Sequence, residues 1–375
     1  MHKIIYLTYQ TFPSDTANTL QTIDNAKHIR RKGYEVEIIF PLRSKNSTDD
    51  INILKTHYGF NEDLKFKGID HNLPFGKIKI FEKYLYLFSH IIWSRKITKE
   101  YKKTEYEKTI FFTRSDWIFY FLSNKELNVT FECHQLTRLR KWIINYAIKK
   151  DNSKIIFLND KLKLDSGIDS KNSKKILVLQ NGVDSELFHR VEQIHNDKVN
   201  IIFTGNMKRF NEDRGVKFII DSFLNPKFPN YLKLKIIGWP FNEVEKFKNY
   251  VKKIKLNNRI EIMNKLDRKS TIEHIQNSNI GLLINSSRDL HSVNYTSPLK
   301  YFEYLYGELN IVAIDFPSHR SLPYSKNISF FEENDQEGLI DALSESLNKK
   351  AIPKEQLSDI TLKNRVDKLL GFIEI

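Results

Sequence analysis

A histidine stands where a run of strand-forming residues ends. His134 closes the expected strand Val129–His134, so it should emerge at the edge of a sheet. A neutral imidazole there can donate or accept a hydrogen bond with a hydroxyl group of a ligand. Cys133 precedes it and points to the opposite face of the strand, so a Cys–His nucleophile pair is not expected. The residues alone leave a structural histidine as the alternative.

A second group lies at the expected start of a helix, Leu299–Tyr306. Ser297 suits the N-cap and Pro298 suits the first turn, which leaves free backbone N–H groups at a positive dipole end. Such a helix start can bind a phosphate, and Lys300 adds a cation. Glu303 follows on the next turn, where its carboxylate can accept both hydroxyls of a ribose. A capped surface helix remains the alternative.

A third group follows the expected strand Val199–Thr204. Gly205 and Asn206 come directly after it, and a glycine at a strand end lets the backbone approach a ligand closely. Arg209 and Arg214 lie on the loop beyond, where cations can stabilise the negative charge of a departing diphosphate. A solvated basic loop is the alternative.

A weaker signal lies in the loop before the first long helix. Thr16, Ala17 and Asn18 are small residues, and they leave room for a substrate to approach the helix N-terminus.

Patterns of several other enzyme classes are absent from the sequence. There is no Gly-x-Gly-x-x-Gly, no phosphate loop, no Gly-x-Ser-x-Gly and no Asp-x-Asp pair to hold a metal–diphosphate. There are no clustered Cys and His residues for zinc. We therefore expect no cofactor and no bound metal.

The candidate residues can act together only if the strands that precede them end at a common edge. The pattern of the sequence predicts such strands. Apolar runs alternate with amphipathic helical stretches, which indicates an α/β protein with parallel sheets, where ligands lie at the carboxyl ends of the strands. The pattern restarts near residue 190. We expect two Rossmann-like domains facing across a cleft, residues 1–190 closed by a final helix within 361–375, and residues 191–360.

Composition limits the cellular setting. The 375 residues suit two domains, and the lone cysteine excludes an internal disulfide and fits a reducing compartment. No apolar run is long enough to span a membrane, so a cytoplasmic protein is expected. The net charge is +14, with about +10 of it in residues 1–196, which attracts anionic partners.

One segment suggests contact with a membrane surface. Residues 81–93 are rich in Tyr, Leu, Phe, Ile and Trp, and basic residues flank them, so an amphipathic helix can lie on the inner face of an anionic bilayer. A core helix with a solvated basic end is the alternative. The flanking basic residues are Lys77, Lys79, Lys83, Arg95, Lys96, Lys99, Lys102 and Lys103.

Taken in order, these stretches resemble family 4 of the GT-B glycosyltransferases over nearly the whole chain. The matching stretches are the first strand, loop and helix ending at Arg31-Lys32-Gly33, then Glu132-Cys133-His134, Asn181-Gly182-Val183-Asp184 and Ser297-Pro298-Leu299-Lys300-Tyr301-Phe302-Glu303. The resemblance implies a retaining transferase that moves a sugar from a nucleotide-diphosphate sugar, UDP- or GDP-linked, to a cell-envelope saccharide or lipid-linked acceptor without a metal. In such a reaction the diphosphate begins to leave first, and the acceptor attacks the oxocarbenium-like carbon from the face that the diphosphate leaves.

The resemblance also implies residue roles. His134 looks like the histidine that touches the donor sugar, and Glu303 looks like the glutamate that binds the ribose. Arg209 or Arg214, together with Lys300, looks like the diphosphate clamp. Donor contacts are expected from Gly205, Asn206, Tyr295, Ser297, Pro298 and Leu299, with Tyr295 standing where members often carry a second glutamate, and the acceptor is expected beside Thr16, Ala17 and Asn18.

Two other classes stay open. One is a nucleotide-sugar epimerase of the same fold, which would act without an acceptor. The other is a non-catalytic binding protein for sugar nucleotides or nucleic acid. No recognised RNA-binding motif interleaves aromatic and basic residues here, so nucleic acid is not expected as a partner.

Overall fold

The chain forms two compact units in a computed structural model. The described residues are 2–75, 78, 80–189, 199–209 and 212–374, without the side chains of Arg209 and Glu212. The first unit comprises Met1–Gln180 and Arg365–Ile375, and the second comprises Asn181–Asn364. The expected boundary at residue 190 falls outside the described residues.

The first unit is built on a parallel sheet with the order β3-β2-β1-β4-β5-β6-β7. The order reverses between β1 and β4, and in such sheets ligands bind beyond the carboxyl ends of the strands at this reversal. Its strands are β1 (Lys3–Leu7), β2 (Glu35–Leu42), β3 (Lys65–Asp70), β4 (Thr109–Thr113), β5 (Val129–Cys133), β6 (Ser153–Phe157) and β7 (Ile176–Val178).

Helices cover both faces of this sheet, so its central strands are buried. All of them except α3 begin at polar caps: Thr16 caps the first, and its hydroxyl accepts the N–H of Thr19 at 3.3 Å. The helices are α1 (Ala17–Arg31), α2 (Ile51–Tyr58), α3 (Glu82–Thr98), α4 (Asp116–Ser123), α5 (Arg138–Ala147) and α6 (Asp160–Ser166).

The second unit repeats the architecture with the order β12-β11-β8-β13-β14-β15 and a reversal between β8 and β13. Its strands are β8 (Val199–Asn206), β9 (Lys208–Arg209), β10 (Glu212–Asp213), β11 (Leu232–Trp239), β12 (Ile260–Asn264), β13 (Ile280–Leu283), β14 (Asn310–Ile314) and β15 (Ile328–Phe331), with β9 and β10 forming a separate antiparallel pair. Its helices are α7 (Val216–Ser222), α8 (Phe241–Lys253), α9 (Arg268–Gln276), α10 (Leu290–Asn294), α11 (Leu299–Tyr306), α12 (Pro317–Arg320) and α13 (Gln336–Asn348).

The last helix, α14 (Leu362–Glu374), carries the chain from the second unit back into the first. Its residues Val366, Leu369 and Ile373 pack into the core that contains Ile4 of β1. At its end, the Lys154 ammonium donates to the carbonyl oxygen of Phe372 at 2.9 Å, which satisfies a carbonyl that the helix leaves open. The described chain therefore ends in a helix whose residues from Arg365 onward belong to the first unit.

The predicted α/β class with two parallel sheets is confirmed. The sequence pattern did not predict β3. β3 is the edge strand next to β2, and its residues are exposed or only partly buried. Edge strands of this kind carry polar residues and lack a clear apolar run. No helix in the described part of the chain is long and apolar enough to cross a bilayer.

Candidate functional site

His134 is the first residue after β5, at the carboxyl end of the first unit's sheet. Its side chain is 29% exposed, yet its Nε2 is buried and makes no hydrogen bond to the described residues. Cys133 is fully buried, its thiol donates to the Gln135 carbonyl oxygen at 3.4 Å, and burial raises the pKa of that thiol to about 12. No Cys–His nucleophile pair forms, as the alternation of the strand predicts.

A buried carboxylate lies beneath His134. Glu132 is fully buried, and its Oε2 accepts from Arg114 Nη2 at 2.9 Å while its Oε1 accepts from Arg365 Nη2. Burial opposes its ionisation, but the two guanidinium groups outweigh burial and hold the pKa of Glu132 well below its usual range. The carboxylate is therefore charged and paired on both sides. The sequence singled out neither arginine.

Burial keeps His134 neutral. Its Nε2 lies 3.6 Å from Glu132 Oε1. Burial, and then the positive charge of Arg114, lower the pKa of His134 to about 4 against the opposing pull of Glu132. At neutral pH the imidazole is uncharged. It can form a hydrogen bond with a ligand, but it is a weak general base.

The small residues Thr16, Ala17 and Asn18 form the N-cap and the first two positions of α1. Ala17 is exposed, and Asn18 is half-buried, with both its backbone oxygen and its Oδ1 accepting from Arg114 Nη1. Asn18 thus belongs to the same polar network as Glu132, beside His134.

In the second unit, the expected donor residues Gly205 and Asn206 are the last two residues of β8, which extends two residues beyond the predicted strand. Gly205 has φ of 143°, a conformation that favours glycine, and an added Cβ would meet only the Phe203 ring, at 3.8 Å. Arg214 Nη1 donates to the carbonyl oxygen of Asn206 at 3.3 Å, and its Nε donates to Asn285 Oδ1 at 3.1 Å. Both acceptors are uncharged. Because Asn285 follows β13, this arginine sits at the reversal of the strand order.

Lys300 lies close by, on the first turn of α11. Its Nζ is buried, makes no hydrogen bond to the described residues, and lies 4.0 Å from the centroid of the Phe203 ring. Burial, and then the positive charge of Arg214, lower the pKa of Lys300 well below its usual range. A buried ammonium beside a second cation is costly without an anion. The two basic residues are therefore suited to binding an anion.

The start of α11 differs from the prediction for Ser297. Pro298, not Ser297, is the N-cap, and no side chain caps the helix. Ser297 is buried, and its hydroxyl accepts from the Asn181 N–H at 3.2 Å, while the Asn181 amide donates to the Ser297 carbonyl oxygen. The capping role was wrong because a backbone N–H distant in sequence binds the serine. Leu299 begins the helix, whose first N–H groups therefore have no side-chain cap.

Glu303 and Tyr295 complete the sequence-predicted set in this unit. Glu303 follows Lys300 by three residues, so both lie on one face of α11, and Glu303 Oε1 is 3.9 Å from Arg268 Nη2. Tyr295 is partly buried and is the C-cap of α10. Arg209 lies in β9, with its side chain outside the described residues.

A glycine lets α11 approach the sheet. A Cβ at Gly281 would lie 2.3 Å from Tyr304 Cδ2, and the Tyr304 hydroxyl accepts the Thr204 N–H at 2.8 Å, directly before Gly205. We expect Gly281→Ala to lower the free energy of unfolding by about 1–3 kcal/mol, because the tyrosine must move.

Chemical denaturation measures this effect, and Gly371→Ala is the matched control. Gly371 lies within α14 with no atom within 4 Å of an added Cβ, so this change should stabilise the protein by up to about 1 kcal/mol. Equal unfolding midpoints for Gly281→Ala and the unchanged protein would contradict the packing argument.

Sequence reasoning missed residues whose partners are distant along the chain. They are Arg114, Arg365, Asn25 and Asn285, and it also missed His319, whose Nδ1 hydrogen-bonds the nearby Ile314 carbonyl oxygen. The buried His319 lies near Lys300 and Arg214, and burial lowers its pKa to about 4. Among the described residues, no three His, Cys, Asp or Glu side chains are grouped to hold a metal ion.

No protein-family model and no curated protein matches the sequence, but solved structures share the fold. A glycosyltransferase from Rickettsia africae matches with a TM-score of 0.71 at 15% identity, covering 100% of this chain and 98% of its own. Anabaena HepE in complex with UDP and glucose matches at 0.66 and 12%, covering 100% of both chains. The lipopolysaccharide outer core galactosyltransferase WaaB matches at 0.65 and 13%, covering 99% of both. At these identities the likeness establishes the GT-B fold expected from the sequence.

Proposed function

We propose that this chain is a glycosyltransferase that takes a sugar from a nucleoside diphosphate sugar and transfers it to a saccharide or lipid-linked acceptor. The observation that carries the proposal is the buried amino group of Lys300 at the start of α11, which has no hydrogen-bond partner among the described residues and whose pKa burial and the charge of Arg214 lower. A diphosphate supplies the missing negative charge.

The donor's diphosphate binds between these cations and the first N–H groups of α11. Arg214 is held by Asn285 and by the Asn206 carbonyl, so its guanidinium is oriented before the ligand arrives. Fixed cations of this kind stabilise the charge that develops on the leaving diphosphate. Gly205 lets the backbone approach the ligand, and Pro298 leaves the helix start open.

Glu303 binds the ribose of the donor. It lies one turn along α11 from Lys300, on the same face, and its carboxylate can accept two hydroxyl groups. The nucleoside of the donor is uridine or guanosine. HepE, which shares the fold, was solved with UDP, and this favours uridine.

His134 contacts the donor sugar through a hydrogen bond, as the family resemblance implies. With a pKa of about 4 it is neutral at pH 7, so we assign it hydrogen bonding and not proton transfer. The bond from the anomeric carbon to the diphosphate breaks, the acceptor oxygen bonds to the same face of that carbon, and the acceptor proton leaves with the diphosphate. Retention of configuration and independence from metal are parts of this proposal.

Nucleotide binding in the presence of EDTA tests the donor site. We expect one of UDP, GDP, ADP or CMP to raise the melting temperature, and Glu303→Ala to weaken that nucleotide about tenfold to a hundredfold, because two hydrogen bonds to a charged group are lost. Titration calorimetry measures the change in affinity.

The control for this variant is Glu337→Ala. Glu337 pairs with Lys227 at 2.6 Å on an exposed part of the second unit, so its loss should leave nucleotide affinity unchanged. Transfer of the sugar that requires an acceptor and retains the anomeric configuration supports a retaining transferase. Conversion of the donor sugar without an acceptor points to an epimerase, and no binding of any nucleotide removes the roles given to Lys300 and Glu303.

A further inference from the structure

An exposed apolar surface covers three neighbouring helices of the first unit. α3 packs against α4, and α4 packs against α5. On α3 the exposed side chains include Tyr84 (70% exposed) and Phe88 (54%), and on α5 they include Trp142 (53%). We call this surface the α3–α5 face. Its exposed apolar members are Phe81, Tyr84, Leu87, Phe88, Ile92, Leu139 and Trp142.

Partly exposed rings of α4 continue the apolar side chains of α5. Tyr120 contacts Trp142, with ring centroids 5.7 Å apart, and Tyr146, at 5.4 Å. Trp117 stacks on Phe121 at 6.1 Å on the same short helix. The exposed apolar side chains therefore lie on helices that pack side by side, and exposed apolar patches mark interaction sites.

The start of α3 places one of these side chains at a conformational cost. Phe81 is the N-cap of α3, with φ of 58° and no side-chain cap hydrogen bond, and 74% of it is exposed. Bulky residues rarely adopt a positive φ, and an exposed phenylalanine gains nothing from water there. A role in binding an apolar partner accounts for both features.

Basic side chains continue the exposed face of α3 beyond its apolar part. Arg95, Lys96 and Lys99 follow Ile92 within two turns, are exposed, and form no ion pair with the described residues. Residues 82–150 hold fourteen Lys and Arg against seven Asp and Glu, so the surroundings are positive as well. The partner that fits is both apolar and anionic.

We propose that the α3–α5 face binds the surface of an anionic lipid bilayer, with α3 lying along it. Tyrosine and tryptophan favour the headgroup region, phenylalanine, leucine and isoleucine enter the acyl boundary, and the three basic groups contact anionic headgroups. A second copy of the chain fits less well, because it would bring a surface with the same excess of positive charge against this one.

The other side of α3 borders the carboxyl edge of the sheet. His90 of α3 stacks on Tyr9, which follows β1, at 4.5 Å between ring centroids, and its Nε2 hydrogen-bonds Ser115 Oγ at 2.6 Å. A bilayer against the outer face would therefore lie one helix away from the edge where the proposed acceptor binds. The binding itself does not depend on the proposed transferase activity.

Vesicle flotation tests the proposal. We expect the protein to float with vesicles of phosphatidylglycerol and phosphatidylcholine, to bind pure phosphatidylcholine far more weakly, and to lose affinity as salt rises. Replacing Arg95, Lys96 and Lys99 with glutamine should lower the partition coefficient about a hundredfold, at the usual contribution of a basic residue near a membrane. Tyr84→Ser with Phe88→Ser should lower it at least about tenfold.

A matched control removes the same charge elsewhere. Lys252, Lys253 and Lys255 are exposed in the second unit, and their replacement with glutamine should leave the partition coefficient within about threefold. An equal loss in the control would show binding by net charge alone and overturn the proposal. So would absence of binding to anionic vesicles, or dimers in solution that Phe88→Ser dissociates. Loss of sugar transfer with vesicle binding intact would overturn only the proposed function.

Discussion

Replacing Lys300 with methionine should raise the stability of the ligand-free protein and abolish donor use. The buried amino group has no hydrogen-bond partner among the described residues and is disfavoured in its charged form by Arg214, so its removal should add about 1–3 kcal/mol to the free energy of unfolding. The same change removes a cation from the diphosphate, and we expect kcat/KM to fall about a hundredfold or more. Denaturation and donor kinetics measure the two effects.

Lys154 offers the matched control. Its ammonium is also partly buried, but it donates to the carbonyl oxygens of Phe372 at 2.9 Å and Ile373 at 3.2 Å. Lys154→Met should therefore destabilise the protein, whereas Lys300→Met stabilises it. A loss of stability in both variants would mean that Lys300 already has its partner, and the anion-binding argument would fail.

The same lysine predicts how donor affinity depends on pH. The pKa of Lys300 is lowered in the free protein, and a bound diphosphate stabilises the ammonium and raises that pKa. Binding then takes up a proton, so affinity falls as the pH rises from the lowered pKa of the free protein to the higher pKa of the complex. Calorimetry in buffers of different ionisation enthalpy detects the proton. Lys300→Arg should bind without it, because arginine stays charged.

The second large effect is expected at Glu132. Glu132→Gln keeps the shape of the side chain but leaves Arg114 and Arg365 buried without their common carboxylate. Breaking a buried ion pair from one side costs about 3–5 kcal/mol, and we expect the free energy of unfolding to fall by that amount. Because Glu132 raises the pKa of His134, the variant should also lower that pKa further.

Glu35→Gln distinguishes this buried network from ordinary ion pairs. Glu35 accepts from Lys65 at 2.8 Å on the surface of the same sheet, and its loss should cost less than about 1 kcal/mol. Urea denaturation of the two variants gives the comparison, and NMR titration of the His134 ring gives its pKa. Similar costs for both variants would show that water reaches the Glu132 network.

The sequence predicts the site where local patterns decide the structure. Gly205 lies in the last residues of β8, Lys300 and Glu303 share a face of a short helix, and His134 follows β5, close to where the apolar runs and helix spacing indicate. Each of these positions depends on residues within a few places along the chain. Short-range rules are sufficient there.

The polar network below His134 could not be found in this way. Glu132 binds Arg114, which is 18 residues away, and Arg365, which is 233 residues away, and neither spacing carries a local signal. Ser297 is a similar case. Its position before Pro298 predicts a helix cap, but its hydroxyl accepts the N–H of Asn181, which lies 116 residues earlier. Long-range packing decides which polar residue meets which, and a single sequence does not encode that pairing as a pattern.

The return of α14 to the first unit has a consequence for synthesis on the ribosome. The second unit is one continuous segment, Asn181–Asn364, inserted between two parts of the first. Domains usually fold in the order in which they leave the ribosome, but here Glu132 lacks one of its two arginines until Arg365 has been made. The first unit to be translated is thus the last to complete its polar interior, and shortened chains that end before Arg365 should expose it to chaperones and proteases.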